Sequence, residues 1–257
     1  MSSPKRLYQE IGLALKKQIF DGEFSVGQKL PAEREIAETM SVSRSVVREA
    51  LIMLELQEIV NVRKGSGVYV THIPTEEEKS QSSLIKHSEK PDNDAGPFES
   101  LQARQLLESR IAEFAATQIT KNDIAKLRQA LQLERENIAT DKKEYDGDEM
   151  FHMAIADATQ NSVLSGMVRD LWQQRNSSLM WRQLHLHINS EDYRGLWLQD
   201  HEKILASLQL RDAAGARDAM WQHLENVKQT LLSLSDIDHP KFDGYLFSTN
   251  PVISYSE

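Results

Sequence analysis

Residues 31–51 (PAEREIAETMSVSRSVVREAL) constrain this chain more than any other stretch, because they encode two short helices separated by a tight turn. Pro31 suits the opening of a helix, where its missing N–H needs no partner, and Glu33 and Glu35 suit the positive end of the helix dipole. Ile36, Ala37 and Met40 form an apolar stripe at helical spacing. Ser43 offers an N-cap oxygen to a second helix whose apolar positions are Val47, Leu51 and Leu54. The other face of that helix carries Arg44, Ser45 and Arg48 at its N-terminal end. Hydrogen-bond donors on one side and an apolar back on the other are what a helix needs to enter the major groove of DNA. A helical hairpin with solvated arginines shows the same pattern, so these residues alone leave both readings open.

The following residues favour the first reading. Ile59-Val60-Asn61-Val62 and Val68-Tyr69-Val70 are β-branched runs flanking Arg63-Lys64-Gly65-Ser66-Gly67, which predicts a hairpin. Its loop carries two cations, Arg63 and Lys64, and two glycines, so the backbone can approach phosphates or a groove closely. A helix-turn-helix followed by a basic hairpin is a winged helix. An opening amphipathic helix with Leu7, Ile11, Leu15 and Ile19, ending near Gly22, completes the module.

Residues 5–72 resemble the DNA-binding domain of the GntR family. The resemblance is carried by Leu30-Pro31-Ala32-Glu33-Arg34-Glu35-Ile36-Ala37, Val42-Ser43-Arg44, Val47-Arg48-Glu49-Ala50-Leu51, and Gly65-Ser66-Gly67 followed by Val70. It implies that Arg34, Arg44 and Arg48 contact DNA and that Gly65 approaches the minor groove. Ser45 and the wing's Lys64 join them as expected DNA contacts.

Composition bounds the function. A chain of 257 residues can hold two modest domains. With no cysteine, neither a disulfide framework nor a thiolate metal site is possible. No apolar run approaches transmembrane length, and Met1-Ser2-Ser3-Pro4-Lys5-Arg6 has no apolar signal core behind it, so a cytoplasmic location without membrane association is expected. The net charge of −9 argues against a non-specific nucleic-acid coat. Residues 1–72 nevertheless carry ten Lys/Arg against nine Asp/Glu, which leaves the acidity to the rest of the chain. DNA binding would rest on a local patch.

Residues 73–96 are polar, contain Pro74 and Pro91, and read as a linker. From Pro97 to about Leu234 the pattern is helical, with helices predicted at 97–119, 121–138, 146–159, 161–175, 176–189, 191–210 and 212–234. The expected fold is mainly α: an N-terminal winged helix-turn-helix joined to an all-α bundle-like domain over 97–236. An aromatic tail over 237–257, with Phe242, Tyr245, Leu246, Phe247 and Tyr255, is expected to pack on that domain or on a dimer partner.

Three of these helices bear ionisable residues on apolar faces. Asp148 and His152 are four apart with Ile155 continuing the face; His201 lies among Trp197, Ile204, Leu205 and Leu208; His223 lies among Ala216, Met220, Val227 and Leu231. Converging on one point, they would suit zinc, nickel, manganese or iron. Three separate core histidines, each hydrogen-bonded to a neighbour, would read the same way. Asp148-Glu149-Met150-Phe151-His152, His201 with Ile204-Leu205, and Ala219 with His223 resemble the FCD ligand-binding domain of the FadR subfamily. That resemblance implies a divalent metal, zinc foremost, on Asp148, His152, His201 and His223, with coordination left open for a carboxylate or hydroxy acid.

Arg104 precedes Glu108, Ile111 and Ala115 on one helix face and reads either as a clamp on a ligand carboxylate or as a partner of Glu108. The FCD resemblance implies the clamp, since the domain usually has an arginine in this context facing the effector pocket. Arg175 and Arg182, near Trp172 and Trp181, could also reach an acid, but they share a face only if their helix is continuous. The tryptophans between 172 and 221 read as core or as a sugar-binding surface. Further segments, including 96–109, 219–228 and 242–247, resemble the hexuronate-utilisation repressors of the subfamily. The combined expectation is a homodimeric regulator and not an enzyme: a repressor that binds a palindromic operator and is released by a sugar acid beside the metal. An FCD regulator answering lactate or gluconate is the alternative. A metalloenzyme with a DNA-binding appendage is a third reading, against which no general base in a zinc-hydrolase pattern is found.

Overall fold

A computed structural model describes residues 6–63, 66–73, 95–140, 146–186 and 193–235. Lys64 and Gly65, nearly all of the expected linker and the expected aromatic tail lie outside the described residues. The described parts of 1–98, 178–189 and 232–251 form one compact unit, and those of 99–177 and 190–231 form another.

The first unit contains α1 (Leu7–Phe20), α2 (Glu33–Met40), α3 (Arg44–Leu56), β1 (Val60–Arg63) and β2 (Gly67–Val70). Ile11, Leu15 and Ile19 bury one face of α1 as their spacing predicts, but Leu7 is exposed and Tyr8 fills the buried place. Tyr8, Ile11, Leu15 and Ile19 follow the three-and-four spacing of one stripe, from which Leu7 is rotated away. Gly12 lets α1 approach α3: a Cβ there would fall 2.1 Å from Cε of Met53. Pro31 does not open α2. The helix begins at Glu33 after Ala32, whose N–H is held by the Glu35 carboxylate at 3.2 Å. Ser41, in the left-handed region at φ 56°, ends α2. Oγ of Ser43 then accepts the Val46 N–H at 3.4 Å and caps α3.

β1 and β2 pair antiparallel in the register Val60↔Val70, Asn61↔Tyr69, Val62↔Val68 and Arg63↔Gly67. Gly67 sits at φ 118°, a conformation that side-chain-bearing residues rarely adopt, so glycine suits the start of β2. The Leu30 N–H donates to the Val68 carbonyl at 2.8 Å, tying the strand to the stretch before α2. The expected winged helix is therefore present, its wing tip excepted.

Seven helices follow, at the predicted places: α4 (Pro97–Gln118), α5 (Lys121–Ala139), α6 (Asp146–Ala158), α7 (Ser162–Ser177), α8 (Leu179–Leu186), α9 (Tyr193–Gln209) and α10 (Ala213–Leu234). Asn161 caps α7 by accepting from the Val163 and Leu164 N–H groups at 3.0 and 3.3 Å. The predicted stripes are buried throughout: Arg104, Glu108, Ile111 and Ala115 on α4; Trp197, His201, Ile204, Leu205 and Leu208 on α9; Ala216, Met220, His223, Val227 and Leu231 on α10. Gly147 brings α6 against α5, since a Cβ at that position would fall 2.5 Å from the Glu134 backbone nitrogen. Among the described residues no helix is long and apolar enough to cross a membrane.

Candidate metal centre

In the second unit the predicted ligands converge. Asp148 and His152 come from one face of α6, His201 from α9 and His223 from α10, and one ligand atom from each lies within 4.8 Å of the others. Nε2 of His201 is 3.1 Å from Nε2 of His223. Oδ1 of Asp148 is 3.4 Å from Nε2 of His152 and 3.6 Å from Nε2 of His201. The three imidazoles are buried. The His201 ring packs on Phe151 at a tilt of 32° with centroids 4.7 Å apart, so the core helps to set its orientation.

Carboxylates lie behind the histidines. Nδ1 of His152 is hydrogen-bonded to Glu108 of α4, and Nδ1 of His201 lies 2.8 Å from Oε2 of Glu134 on α5. Nδ1 of His223 faces Oδ2 of Asp200 at 3.9 Å, beyond hydrogen-bond length. A carboxylate that accepts the Nδ1–H fixes the tautomer and turns the Nε2 lone pair inward. Nε2 of His152 is buried with no hydrogen-bond partner among the described residues. Three inward imidazole nitrogens with an ionised carboxylate are a donor set for a divalent cation of the borderline type. Glu134 and Asp200 are the residues that sequence reasoning missed, and Glu134 carries the same signal as the histidines: a charge in an apolar stripe, here Leu127, Ala130 and Leu131.

The electrostatics follow from this crowding. Burial by itself would raise the Glu108 carboxyl, but Arg104 and His152 outweigh it and hold the group at about 2. Burial likewise opposes the ionisation of Asp148, and His152, His201 and Arg175 override it, so that its carboxyl lies below the usual range. Burial pulls His152 down, yet Glu108 and Asp148 raise it above an ordinary imidazole. His223, desolvated and beside two other imidazoles, lies well below the ordinary value.

Both sequence-predicted clamp arginines lie close to the cluster. Nε of Arg104 donates to Oε1 of Glu108 at 2.6 Å, a pair buried on both sides, and its guanidinium sits 4.3 Å from the Trp172 ring centroid. Arg175 lies 4.9 Å from the same centroid and donates to Oδ1 of Asn176 at 3.2 Å. Trp172 in turn packs on the His152 ring at 5.6 Å. Arg182 is exposed, and a break at Ser178 between α7 and α8 separates it from the helix of Arg175.

In the first unit the expected DNA contacts have unlike surroundings. Arg34 is exposed and lies 3.7 Å from Glu38. Arg44 is partly exposed, with Nη2 at 3.9 Å from Glu33, and Oγ of Ser45 is 2.9 Å from Oγ of Ser43. Arg48 is buried. It is ion-paired with the buried Glu33, donates to Oγ of Ser235, and reaches the Leu232 carbonyl at 3.4 Å, all within the same unit. The sequence suggested no such partnership, since Glu33 reads as a helix-dipole residue.

Comparison with known proteins accords with this architecture. Residues 7–70 match the family described as bacterial regulatory proteins, gntR family, and residues 99–226 match the FCD domain. The chain is 53% identical over 248 residues to the Uxu operon regulator of Haemophilus influenzae, covering 96% of this chain and 90% of that protein. It is 51% identical over 257 residues to the Uxu operon transcriptional regulator of Escherichia coli, covering 98% and 96%. It is 45% identical over 259 residues to the Exu regulon transcriptional regulator of Escherichia coli, covering 98% and 95%.

Proposed function

The chain belongs to the GntR family of bacterial DNA-binding regulators, in the branch that carries an FCD domain, and from that premise we propose that it represses hexuronate catabolism. Similarity to two Uxu operon regulators along nearly the whole chain carries this reading. A homodimer places two winged helices on a palindromic operator, with Arg34, Arg44, Ser45, Lys64 and Gly65 at the DNA. Asp148, His152, His201 and His223 hold a divalent metal, zinc in the first instance, with nickel, manganese and iron as alternatives. When bound, the ion supplies a Lewis-acid anchor for an acid with a neighbouring oxygen.

The remaining roles fall to the protein's own side chains. Arg104, fixed by Glu108 and the Trp172 face, and Arg175 on the same ring supply positive charge for a carboxylate. Galacturonate or glucuronate bound there shifts the population away from the arrangement that binds DNA. In this reading Arg44 and Ser45 read the base edges, because Arg48 is buried against Glu33. Arg44→Ala should therefore cost about 1–3 kcal/mol of operator affinity and relax specificity at one base.

The decisive experiment is calorimetry on metal-loaded protein, with and without operator DNA, using D-galacturonate, D-glucuronate, D-gluconate and L-lactate. A uronate should bind, and operator should weaken its binding by the factor by which the uronate weakens operator binding. Binding of lactate or gluconate without uronate would overturn the hexuronate reading and leave a regulator of another acid.

A further inference from the structure

We propose that the indole N–H of Trp172 donates to an uncharged oxygen of the effector, so that the site selects a polyhydroxylated acid over a short acid with the same chelating head. This rests on the sugar-acid reading above and adds the residue that makes the site demand more than a carboxylate.

Trp172 is fully buried on α7, and its Nε1 has no hydrogen-bond partner among the described residues. Buried donors are nearly always satisfied, so an orphaned one calls for an explanation. The surroundings of this one supply it. The ring packs on His152, one of the converging ligands, and carries the guanidinium groups of Arg104 and Arg175 over it at 4.3 and 4.9 Å. One side chain therefore joins the metal cluster, two cations suited to an acid, and a donor that nothing among the described residues uses. Trp197 is also unpaired at Nε1, but it packs on Tyr193 at 4.4 Å.

The chemistry of the groups divides the ligand. A carboxylate is drawn to the guanidinium groups and to the ion, where charge is matched. An indole N–H donates and cannot accept; with the carboxylate held by the guanidinium groups and the ion, the oxygens left for it are hydroxyl or ring oxygens. In a two-carbon hydroxy acid both functions are consumed by chelation. A longer hydroxylated chain brings another oxygen to a further donor. A site with a buried donor rejects ligands that leave it unpaired, which is how a hydrogen bond becomes selectivity.

Trp172→Phe removes the N–H and keeps an aromatic ring. Metal-loaded wild type and Trp172→Phe are titrated with D-galacturonate and with glycolate by calorimetry, and metal content is measured on the same samples. The variant should hold the same metal, bind galacturonate about tenfold more weakly, and bind glycolate within about twofold of the wild type. Equal galacturonate affinity in the two proteins would overturn the proposal. So would a parallel loss for both acids, or a loss of metal, since either marks a packing role. Failure of the wild type to bind any uronate would refute the sugar-acid reading itself and this inference with it, and the wild-type titration alone reveals that case. Should the variant not fold, the indole signals of 15N-labelled wild type decide. The Trp172 resonance, assigned by elimination with Trp181→Phe, Trp197→Phe and Trp221→Phe, should move downfield with galacturonate and stay in place with glycolate. A resonance indifferent to galacturonate would refute the role.

Discussion

The two units bury charge in opposite ways. In the winged helix, Glu33 and Arg48 meet as anion and cation, and Ser235 takes a further donor of the guanidinium. In the helical unit, carboxylates stand behind histidines, and the inward nitrogens face one another around Asp148. The first arrangement consumes its own polarity and fixes helix α3 on α2. The second sets carboxylates on the Nδ1 side of His152 and His201 and gathers the Nε2 nitrogens of all three imidazoles at one point. Buried charge therefore marks a ligand site when its partners orient it without satisfying it.

The sharpest way to break this contrast is to remove one partner of the closed pair. Glu33→Gln should destabilise the protein by about 3–5 kcal/mol, because it leaves Arg48 buried without its anion. Replacing both residues by methionine should recover most of that loss. Denaturant unfolding measures both, and a Glu33→Gln protein as stable as wild type would show that the pair is not closed. Acid is the next test. The Glu108 carboxyl sits at about 2 in the folded state, below its ordinary 4.5, so its contribution is complete above 4.5 and is lost as pH falls from there through 2. That contribution is on the order of 3 kcal/mol. Metal-free wild type should lose this stability over that window, and Glu108→Gln should lack the slope in the same urea titrations.

Two smaller effects sharpen the open site. Chelation should lower the melting temperature of metal-loaded wild type, since an ion at a hundredfold its dissociation constant stabilises the folded state by about 2.7 kcal/mol. A His201→Ala, His223→Ala double variant should not respond to chelator, and equal metal content in the two proteins would remove the site. Glu134→Gln should weaken metal binding about 10–100-fold while leaving the four ligands in place. Competition with a chromophoric chelator reads that loss, and unchanged affinity would reduce Glu134 to a neighbour.

The periodicity of apolar residues determined the helices from Pro97 onward to within a few residues, because helical spacing is a local property. The stretch expected at 176–189 is the loosest match, its helix running Leu179–Leu186 among the described residues. The same spacing put Asp148, His152, His201 and His223 on buried faces. The cap at Ser43 and the hairpin were legible for the same reason, each resting on a few neighbouring residues. Tertiary packing alone decided which faces meet. Glu134 is 67 positions from His201 and Glu108 is 44 from His152, and nothing short-range links them. Arg48 shows the same limit from the other side. Its place on α3 was readable, but its burial against Glu33 and Ser235 arises from elements far apart in the chain. A sequence lists the charges that a fold must accommodate. Which of them neutralise each other and which are left facing a ligand depends on distances of a few ångströms that exist only once the helices have packed.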